Sequence, residues 1–249
     1  MTWRALVLAG ERPEGDPLAA SEGVPAKAFI DIAGKPMVAH VLDALAQVPV
    51  IRSLAVSLSP TAPALPEGDW QRLDAAAGPS RSVMDGLDVL GAPLLVTTAD
   101  HPLLRPETVE AFLEAAEASN AGAVAGVAEA AVAAGAEGAP QRTVMRFRDC
   151  GVTGCNLFAL LRPEAGALVA FWQRLEALRK RSAALALAIG PLTAARFKAG
   201  LLDLASAEAA LSRRTGVQVA TVRLDDPLAA HDVDTPTHLA FARSALERD

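Results

Sequence analysis

The sequence predicts an α/β fold with a mixed, mainly parallel sheet and helices on both faces. Short apolar or β-branched runs alternate along the chain with longer segments whose apolar residues recur at helical spacing. The run 93–98 is nearly all apolar or β-branched, as expected of a central parallel strand that is buried on both faces. In such sheets the crossover connections are right-handed, and ligands bind at the carboxyl ends of the strands.

The N-terminal half supplies four of the predicted strands. These strands cover residues 5–8, 29–32, 54–58 and 93–98. A loop with glycines, prolines and charges of both signs separates the first two strands and ends near Lys27. One helix is predicted over about 36–47, a second, capped by a serine, begins around Ser82, and a third begins at Pro106.

The C-terminal half supplies further strands, a helical insertion and a closing helix. The strands are predicted at 123–127, 143–147, 152–160 and 217–224. The Ala/Gly-rich remainder of 121–138 is interpreted as loop or weak helix, and residues 163–215 are predicted to be helical throughout. Thr235 is predicted to cap the last helix, with Pro236 in its first turn.

Length, charge and cysteine content limit the class of protein. The 249 residues suffice for one large domain with a substantial core, and we expect a single domain over 1–249. The net charge of −6 argues against a nucleic-acid partner, because phosphate backbones are bound by a basic face. No apolar run reaches the roughly 18 residues of a membrane span and no targeting segment is visible, so we expect a cytoplasmic protein. Cys150 and Cys155 lack the partners of a zinc site and are expected to be free thiols.

Charged side chains follow three of the predicted strands. They are Arg12 and Lys27 in the loop after the first strand, Asp100 after the central strand, and Asp232 and Asp234 after the last strand. Because the ends of parallel strands lie side by side in an open sheet, these side chains can meet in one cleft. Two cations with several carboxylates are typical of a Mg²⁺–triphosphate site. A single aspartate at a strand end is more often a turn residue or a helix cap, so the hypothesis depends on the three positions together.

Several short motifs occur in the order of a known superfamily. They are Leu8-Ala9-Gly10, Arg12 and Lys27, Gly34-Lys35-Pro36-Met37, the stretch from Thr98 to Leu104, and Asp232-Val233-Asp234-Thr235-Pro236. This series resembles the MobA-like nucleotidyltransferases, which include molybdenum-cofactor guanylyltransferases, methylerythritol-phosphate cytidylyltransferases and sugar-phosphate nucleotidyltransferases. The resemblance covers nearly the whole chain. It implies a three-layer, Rossmann-like sheet of the GT-A type.

The resemblance also implies an activity. Such an enzyme moves a nucleoside monophosphate from an NTP to a phosphorylated small acceptor, here a phosphosugar or phosphoalcohol, and releases pyrophosphate. Residues 1–120 are then the NTP-binding half and residues 121–249 the acceptor-binding half, with the helical insertion at about 163–215. The reaction brings two anions together, so positioning and charge neutralisation account for catalysis and no protein nucleophile is needed.

Roles for individual residues follow from the same resemblance. The expected nucleotide contacts are Leu8, Ala9 and Gly10, the expected catalytic residues are Arg12, Lys27 and Asp100, and the expected Mg²⁺ ligands are Asp100, Asp234 and Asp232. Gly78, Pro79, Ser80 and Ser82 lie in a stretch similar to the one at which cytidylyltransferases read base and ribose. This similarity favours CTP.

The second half is expected to hold the acceptor. Asn156 is a candidate for binding acceptor hydroxyls, and Lys180 and Arg181 are candidates for binding an acceptor phosphate. The alternatives are a buried, satisfied asparagine and cations that complement a helix C-terminus. The apolar segment 183–195, followed by Arg196 and Lys198, is interpreted as a core helix, with a hydrophobic acceptor, a peripheral membrane contact by 183–203 or a dimer contact as alternatives.

The opening loop departs from the superfamily pattern. Glu11 stands where a second glycine is usual, and the gap between Arg12 and Lys27 is longer than usual. A GT-A glycosyltransferase that uses a nucleotide-sugar is an alternative, because Asp232 and Asp234 have the Asp-x-Asp spacing of its metal site. A non-catalytic nucleotide-binding module is a third hypothesis. The sequence leaves both a monomer and a homodimer open.

Overall fold

A central sheet organises the protein, which the computed structural model describes for residues 1–11, 14–178 and 182–248. The strands are β1 (Trp3–Ala9), β2 (Asp31–Ile32), β3 (Lys35–Pro36), β4 (Ile51–Leu58), β5 (Gln71–Asp74), β6 (Leu94–Thr98), β7 (Ala123–Glu129), β8 (Met145–Arg146), β9 (Gly151–Leu160) and β10 (Val219–Arg223). The sheet has the order β10–β7–β9–β6–β1–β4–β5, β8 pairs with β9, and β2 and β3 form a separate ribbon. Within the described sheet only β9 runs against the other strands, so the predicted mixed, mainly parallel sheet is confirmed.

Helices cover both faces of this sheet. They are α1 (Pro17–Ser21), α2 (Met37–Ala46), α3 (Pro79–Leu90), α4 (Pro106–Ala118), α5 (Ala130–Ala133), α6 (Gly166–Leu178), α7 (Ser182–Ile189), α8 (Pro191–Lys198), α9 (Leu204–Thr215) and α10 (Pro236–Leu246). Successive residues of β1 point to opposite faces, so Val7 packs in the same cluster as Leu42 of α2, and Leu6 in the same cluster as Val83 of α3. The fold therefore has the three predicted layers.

The sheet has a topological switch point between β1 and β6. From β1 the chain moves outward through β4 to β5 on one side, whereas β6 lies on the other side of β1. The amide of Ala99 donates to the carbonyl of Leu8 (2.9 Å), and the amide of Val233 donates to the carbonyl of Asp100 (2.7 Å). These bonds bring the ends of β1 and β6 together with the segment before α10, at the edge where such sheets bind ligands.

Several local predictions differ from the structure. The predicted serine cap of α3 is wrong, because Gly78 occupies the N-cap and Ser82 lies inside the helix, where its hydroxyl accepts a hydrogen bond from the amide of Ala76 (2.9 Å). The predicted strands 29–32 and 143–147 shrink to two residues each. The four-residue strand β5 was not predicted.

The helical insertion is less continuous and less buried than the sequence predicts. It breaks at Gly190 and again at 199–203, and residues 179–181 lie outside the described residues. The interpretation of 183–195 as a core helix is wrong, because α8 has no buried residue and Leu187 and Leu192 are 67% and 74% exposed. In the part of the chain that the structure describes, no helix has the length and apolar character needed to cross a membrane.

Candidate active site

An ammonium group bridges two carboxylates at the switch point. Lys27 Nζ lies 2.7 Å from Asp100 Oδ2 and 2.7 Å from Asp234 Oδ1. Lys27 begins a short 3₁₀ helix, Asp100 follows β6, and Asp234 precedes α10. Three predicted site residues, separated by up to 207 positions, are thus brought together.

The protein folds locally so that Asp234 reaches Lys27. Thr235 is the N-cap of α10, as predicted, and its hydroxyl accepts a hydrogen bond from the amide of His238 (3.2 Å). Leu239 of α10 packs in a buried cluster with Ile30 and Ile32, which follow Lys27 closely in the chain. The cap and this apolar contact fix the segment that carries Asp234.

The ion pairs favour the charged forms of Lys27 and Asp234. Burial alone would lower the pKa of Lys27, but the nearby carboxylates of Asp100 and Asp234 outweigh it and raise that pKa above its ordinary value. Burial alone would raise the pKa of Asp234, but the hydrogen bond and charge of Lys27 outweigh it and lower that pKa. At neutral pH the ammonium and the Asp234 carboxylate are therefore both ionised.

The three predicted metal ligands form one acidic cluster. Asp100, Asp232 and Asp234 offer oxygen atoms that lie within 4.8 Å of one another. Oδ1 of Asp100 is buried and has no hydrogen-bond partner among the described residues. Carboxylate oxygens are the donors that Mg²⁺ prefers, so the donor set and the unpartnered oxygen both fit that ion.

Arg142 is a second cation of the site, and sequence reasoning did not find it. Its guanidinium forms an ion pair with the carboxylate of Asp232 and donates to the carbonyl oxygen of Asp232 (3.1 Å). It also donates to Nδ1 of His238 (3.1 Å), and the side chain is only 12% exposed. Arg142 lies between α5 and β8 and directly precedes the predicted strand 143–147, so it does not follow a strand as the predicted charged residues do.

The predicted nucleotide contacts lie on neighbouring loops. The sequence Leu8-Ala9-Gly10 ends β1, and a Cβ atom built on Gly10 would lie 3.2 Å from the side chain of Ala75, which follows β5. The second loop continues through Gly78 into α3, which contains Pro79, Ser80 and Ser82. Small residues from the ends of β1 and β5 thus form one continuous surface beside the Lys27 bridge.

Glu176 of α6 reaches this surface and was not predicted. The buried hydroxyl of Ser80 donates a hydrogen bond to a carboxylate oxygen of Glu176. A Cβ atom built on Gly78 would lie 2.9 Å from the other oxygen, Oε1. In the sequence Glu176 is one charged residue of an amphipathic helix, and only the docking of α6 against α3 reveals its position.

The remaining predicted residues are not joined to the cluster by the described contacts. Arg12, Lys180 and Arg181 lie outside the described residues. Asn156 adopts a left-handed backbone conformation (φ 51°) at an irregularity in the pairing of β9 with β7. Such bulges redirect a side chain, but the role of Asn156 stays a prediction.

Comparisons with known proteins agree with this architecture. The family model for the MobA-like NTP transferase domain matches residues 5–189. A structure described as a hypothetical transferase from Thermus thermophilus is 29% identical, with 96% of this chain and 100% of that chain covered and a TM-score of 0.82. No curated protein matches the chain.

Two more distant structures share the fold. The 2-C-methyl-D-erythritol 4-phosphate cytidylyltransferase from Thermus thermophilus is 19% identical, with 100% of each chain covered and a TM-score of 0.57. The CMP:2-keto-3-deoxy-manno-octonic acid synthetase complexed with CTP is 16% identical, with 100% of this chain and 99% of that chain covered and a TM-score of 0.62. At these identities the likeness concerns the fold alone.

Proposed function

This chain belongs to the family of MobA-like NTP transferase domains and is a nucleotidyltransferase, and we propose that it transfers CMP from CTP to a phosphorylated small acceptor with release of pyrophosphate. The observation that carries this proposal is the bridge of Lys27 between Asp100 and Asp234, beside the acidic cluster. A cation and carboxylates at one sheet edge suit a triphosphate with its metal ion. The acceptor is a phosphosugar or phosphoalcohol.

The acidic cluster would hold Mg²⁺. Asp100 and Asp234 are the principal ligands in this proposal, and Asp232 is the third candidate. Bound there, the ion would neutralise phosphate charge that develops on the leaving pyrophosphate.

Lys27 and the loop of Gly10 bind the triphosphate. The ammonium of Lys27 exchanges part of its carboxylate contacts for phosphate oxygens. This neutralises part of the negative charge of the phosphoryl group under attack and so reduces its repulsion of the acceptor phosphate. The small residues at 8–10 let backbone amides approach the phosphates closely. Arg12 is proposed as a second phosphate ligand from the same loop.

The acceptor is proposed to bind on the Arg142 side of the cluster, in the half formed by residues 121–249. A cavity of about 260 Å³ adjoins Arg142 and is lined in part by Gln141, Arg146 and Thr153. Two guanidinium groups with an amide and a hydroxyl suit a small phosphorylated alcohol or sugar. Asn156, Lys180 and Arg181 remain candidate acceptor ligands on the same half.

CTP is proposed because of the stretch Gly78 to Ser82, which resembles the base-reading stretch of cytidylyltransferases. Two structures with the same fold are named for cytidine nucleotides. One is a cytidylyltransferase, and the other is a CMP synthetase complexed with CTP. Since their identity to this chain is low, they support the proposal without selecting the base.

Pyrophosphate release tests the proposed reaction. Purified protein is incubated with Mg²⁺, each of the four NTPs and a panel of phosphorylated sugars and alcohols. We expect turnover with CTP and at least one acceptor, and loss of turnover in Asp100→Asn and in the presence of EDTA. Failure with every pair would contradict the proposed reaction, and faster turnover with GTP or UTP would contradict the choice of base.

A further inference from the structure

The helical insertion brings the carboxylate of Glu176 to the proposed nucleotide site. From its position we infer that Glu176 reads the exocyclic amine of the cytosine base and discriminates against uracil. This inference rests on the proposed function, because it assumes that an NTP occupies the switch-point edge. It assigns to α6 a role in nucleotide selection, where the sequence suggested only acceptor binding for the second half.

The path of the nucleotide follows from the order of the strands. Its phosphates are placed by Lys27 and Asp100, at the end of β6 and beside the end of β1. The order β6–β1–β4–β5 puts the end of β5 three strand spacings from β6, roughly 14 Å away. An extended NTP spans this distance, and the contact between Gly10 and Ala75 makes the surface continuous. The base therefore comes to the loop 75–78 and the start of α3.

Glu176 stands at this end of the surface in a defined orientation. Ser80, which is 1% exposed, donates its hydroxyl hydrogen to one carboxylate oxygen of Glu176. The second oxygen, Oε1, lies on the side of Gly78, where a Cβ atom would come within 2.9 Å of it. A side chain at Gly78 would collide with Oε1, so glycine at this position leaves that oxygen in place beside the proposed base site.

A carboxylate can distinguish cytosine from uracil by hydrogen bonding. A carboxylate only accepts hydrogen bonds, and cytosine presents an amine at C4 that donates. Uracil presents a carbonyl oxygen at the same position, which would face the negative charge. A charged acceptor makes roughly twice as strong a hydrogen bond as a neutral one, so the preference for cytosine should be large.

Equilibrium binding of Mg·CTP and Mg·UTP, measured by calorimetry without an acceptor, tests the inference. The wild type should bind CTP about tenfold or more tightly than UTP, the factor that one charge-assisted hydrogen bond supplies. Glu176→Gln should reduce this ratio by about tenfold, because the amide of glutamine can donate to the uracil oxygen. Glu164→Gln makes the same charge change on the exposed turn before α6 and should leave the ratio unchanged.

Three results would overturn the inference. They are a wild type without preference for CTP, a Glu176→Gln ratio equal to that of the wild type, and an equal loss of affinity for both nucleotides, which would indicate a ribose contact. The substitution is nearly isosteric, and a melting temperature checks that the variant is folded. If Glu176→Gln lowers the ratio of CTP to UTP affinity while no pair of NTP and acceptor releases pyrophosphate, the inference stands and the proposed reaction fails. If pyrophosphate is released and the preference for CTP is unchanged in Glu176→Gln, the inference is refuted and the proposed reaction stands.

Discussion

At the scale of the residue, Lys27 holds together two carboxylates that would otherwise repel each other. Asp100 is 23% exposed and Asp234 is 53% exposed, so the first pair is more shielded from solvent than the second. A triphosphate offers Lys27 new anionic partners, and a divalent cation offers the carboxylates a new counter-charge. In the proposed function, the bridge therefore keeps the site assembled until both ligands bind.

Lys27→Ala should strongly reduce the rate of nucleotidyl transfer while the protein remains folded. Removal of one preorganised positive group from a phosphoryl-transfer site costs about 10²–10³-fold in rate. The measurement is kcat with CTP and the best acceptor, with circular dichroism to confirm folding. Lys35→Ala is the matched control, because Lys35 pairs with Asp43 at an exposed position (57% and 47% exposed) and should retain full activity. An active Lys27→Ala enzyme would place the phosphate site elsewhere.

Arg142→Ala should weaken acceptor binding more than nucleotide binding. The change removes the partner of the largely buried Asp232 and one of the two guanidinium groups beside the 260 Å³ cavity. We expect the KM for the acceptor to rise by about tenfold or more, the loss of one charge-assisted hydrogen bond, and the KM for CTP to change less. Arg223→Ala is the control, since its pair with Glu129 is exposed. An equal rise in both KM values would contradict an acceptor-side role.

The sequence predicts some of these residues for a physical reason and cannot predict others. Lys27, Asp100 and Asp234 are predicted because each follows a predicted strand, and parallel strands end together at the ligand-binding edge. Arg142 stands in a loop whose path is set by tertiary contacts. Glu176 depends on the docking of one helix against another, which a charge pattern along the chain does not encode.

At the scale of the element, the burial of a strand determines whether it can be predicted from the sequence. Strands β1 and β6 are buried between helix layers and read as apolar runs. Among the described strands, β5 (Gln-Arg-Leu-Asp) lies at the sheet edge and pairs only with β4, so it carries no apolar run. Its position matters nonetheless, because the loop after it forms the proposed base-binding surface.

Gly86→Ala should destabilise the protein although alanine favours helices. A Cβ atom at Gly86 of α3 would lie 2.5 Å from Cδ2 of Leu6, which is fully buried in β1. The overpacking costs about 1–3 kcal/mol, more than the helix propensity gained. Urea denaturation should therefore give a lower midpoint than for the wild type. Gly154→Ala, where a Cβ atom meets nothing within 4 Å, should be close to neutral. A Gly86→Ala protein as stable as the wild type would show that Leu6 can move aside.

At the scale of the whole molecule, the alternation of strands and helices predicted the layers but not the order of the strands. The antiparallel strand β9 inserts between β6 and β7, and the segment before α10 returns to β6 through the bond from Val233 to Asp100. These are long-range pairings, and no local pattern specifies them. The site is nonetheless predictable in outline, because every parallel strand of such a sheet ends at the same edge.

Binding of Mg·CTP should stabilise the whole chain, because the ligand contacts segments that are far apart in the sequence. A ligand at 100 times its Kd adds about 2.7 kcal/mol to the free energy of unfolding, which raises the Tm of a chain of this size by roughly 5–10 °C. Thermal denaturation with CTP, UTP and a nucleotide-sugar, each with and without Mg²⁺, measures this shift.

The size of the shift also separates the competing functions. We expect the largest rise with Mg·CTP, a smaller one without the metal ion, and almost none in Lys27→Ala, where the bridge to Asp100 and Asp234 is absent. A larger shift with the nucleotide-sugar than with any NTP would favour a glycosyltransferase, since that enzyme has no need to bind a free triphosphate. An equal shift with and without Mg²⁺ would contradict a metal site at the acidic cluster.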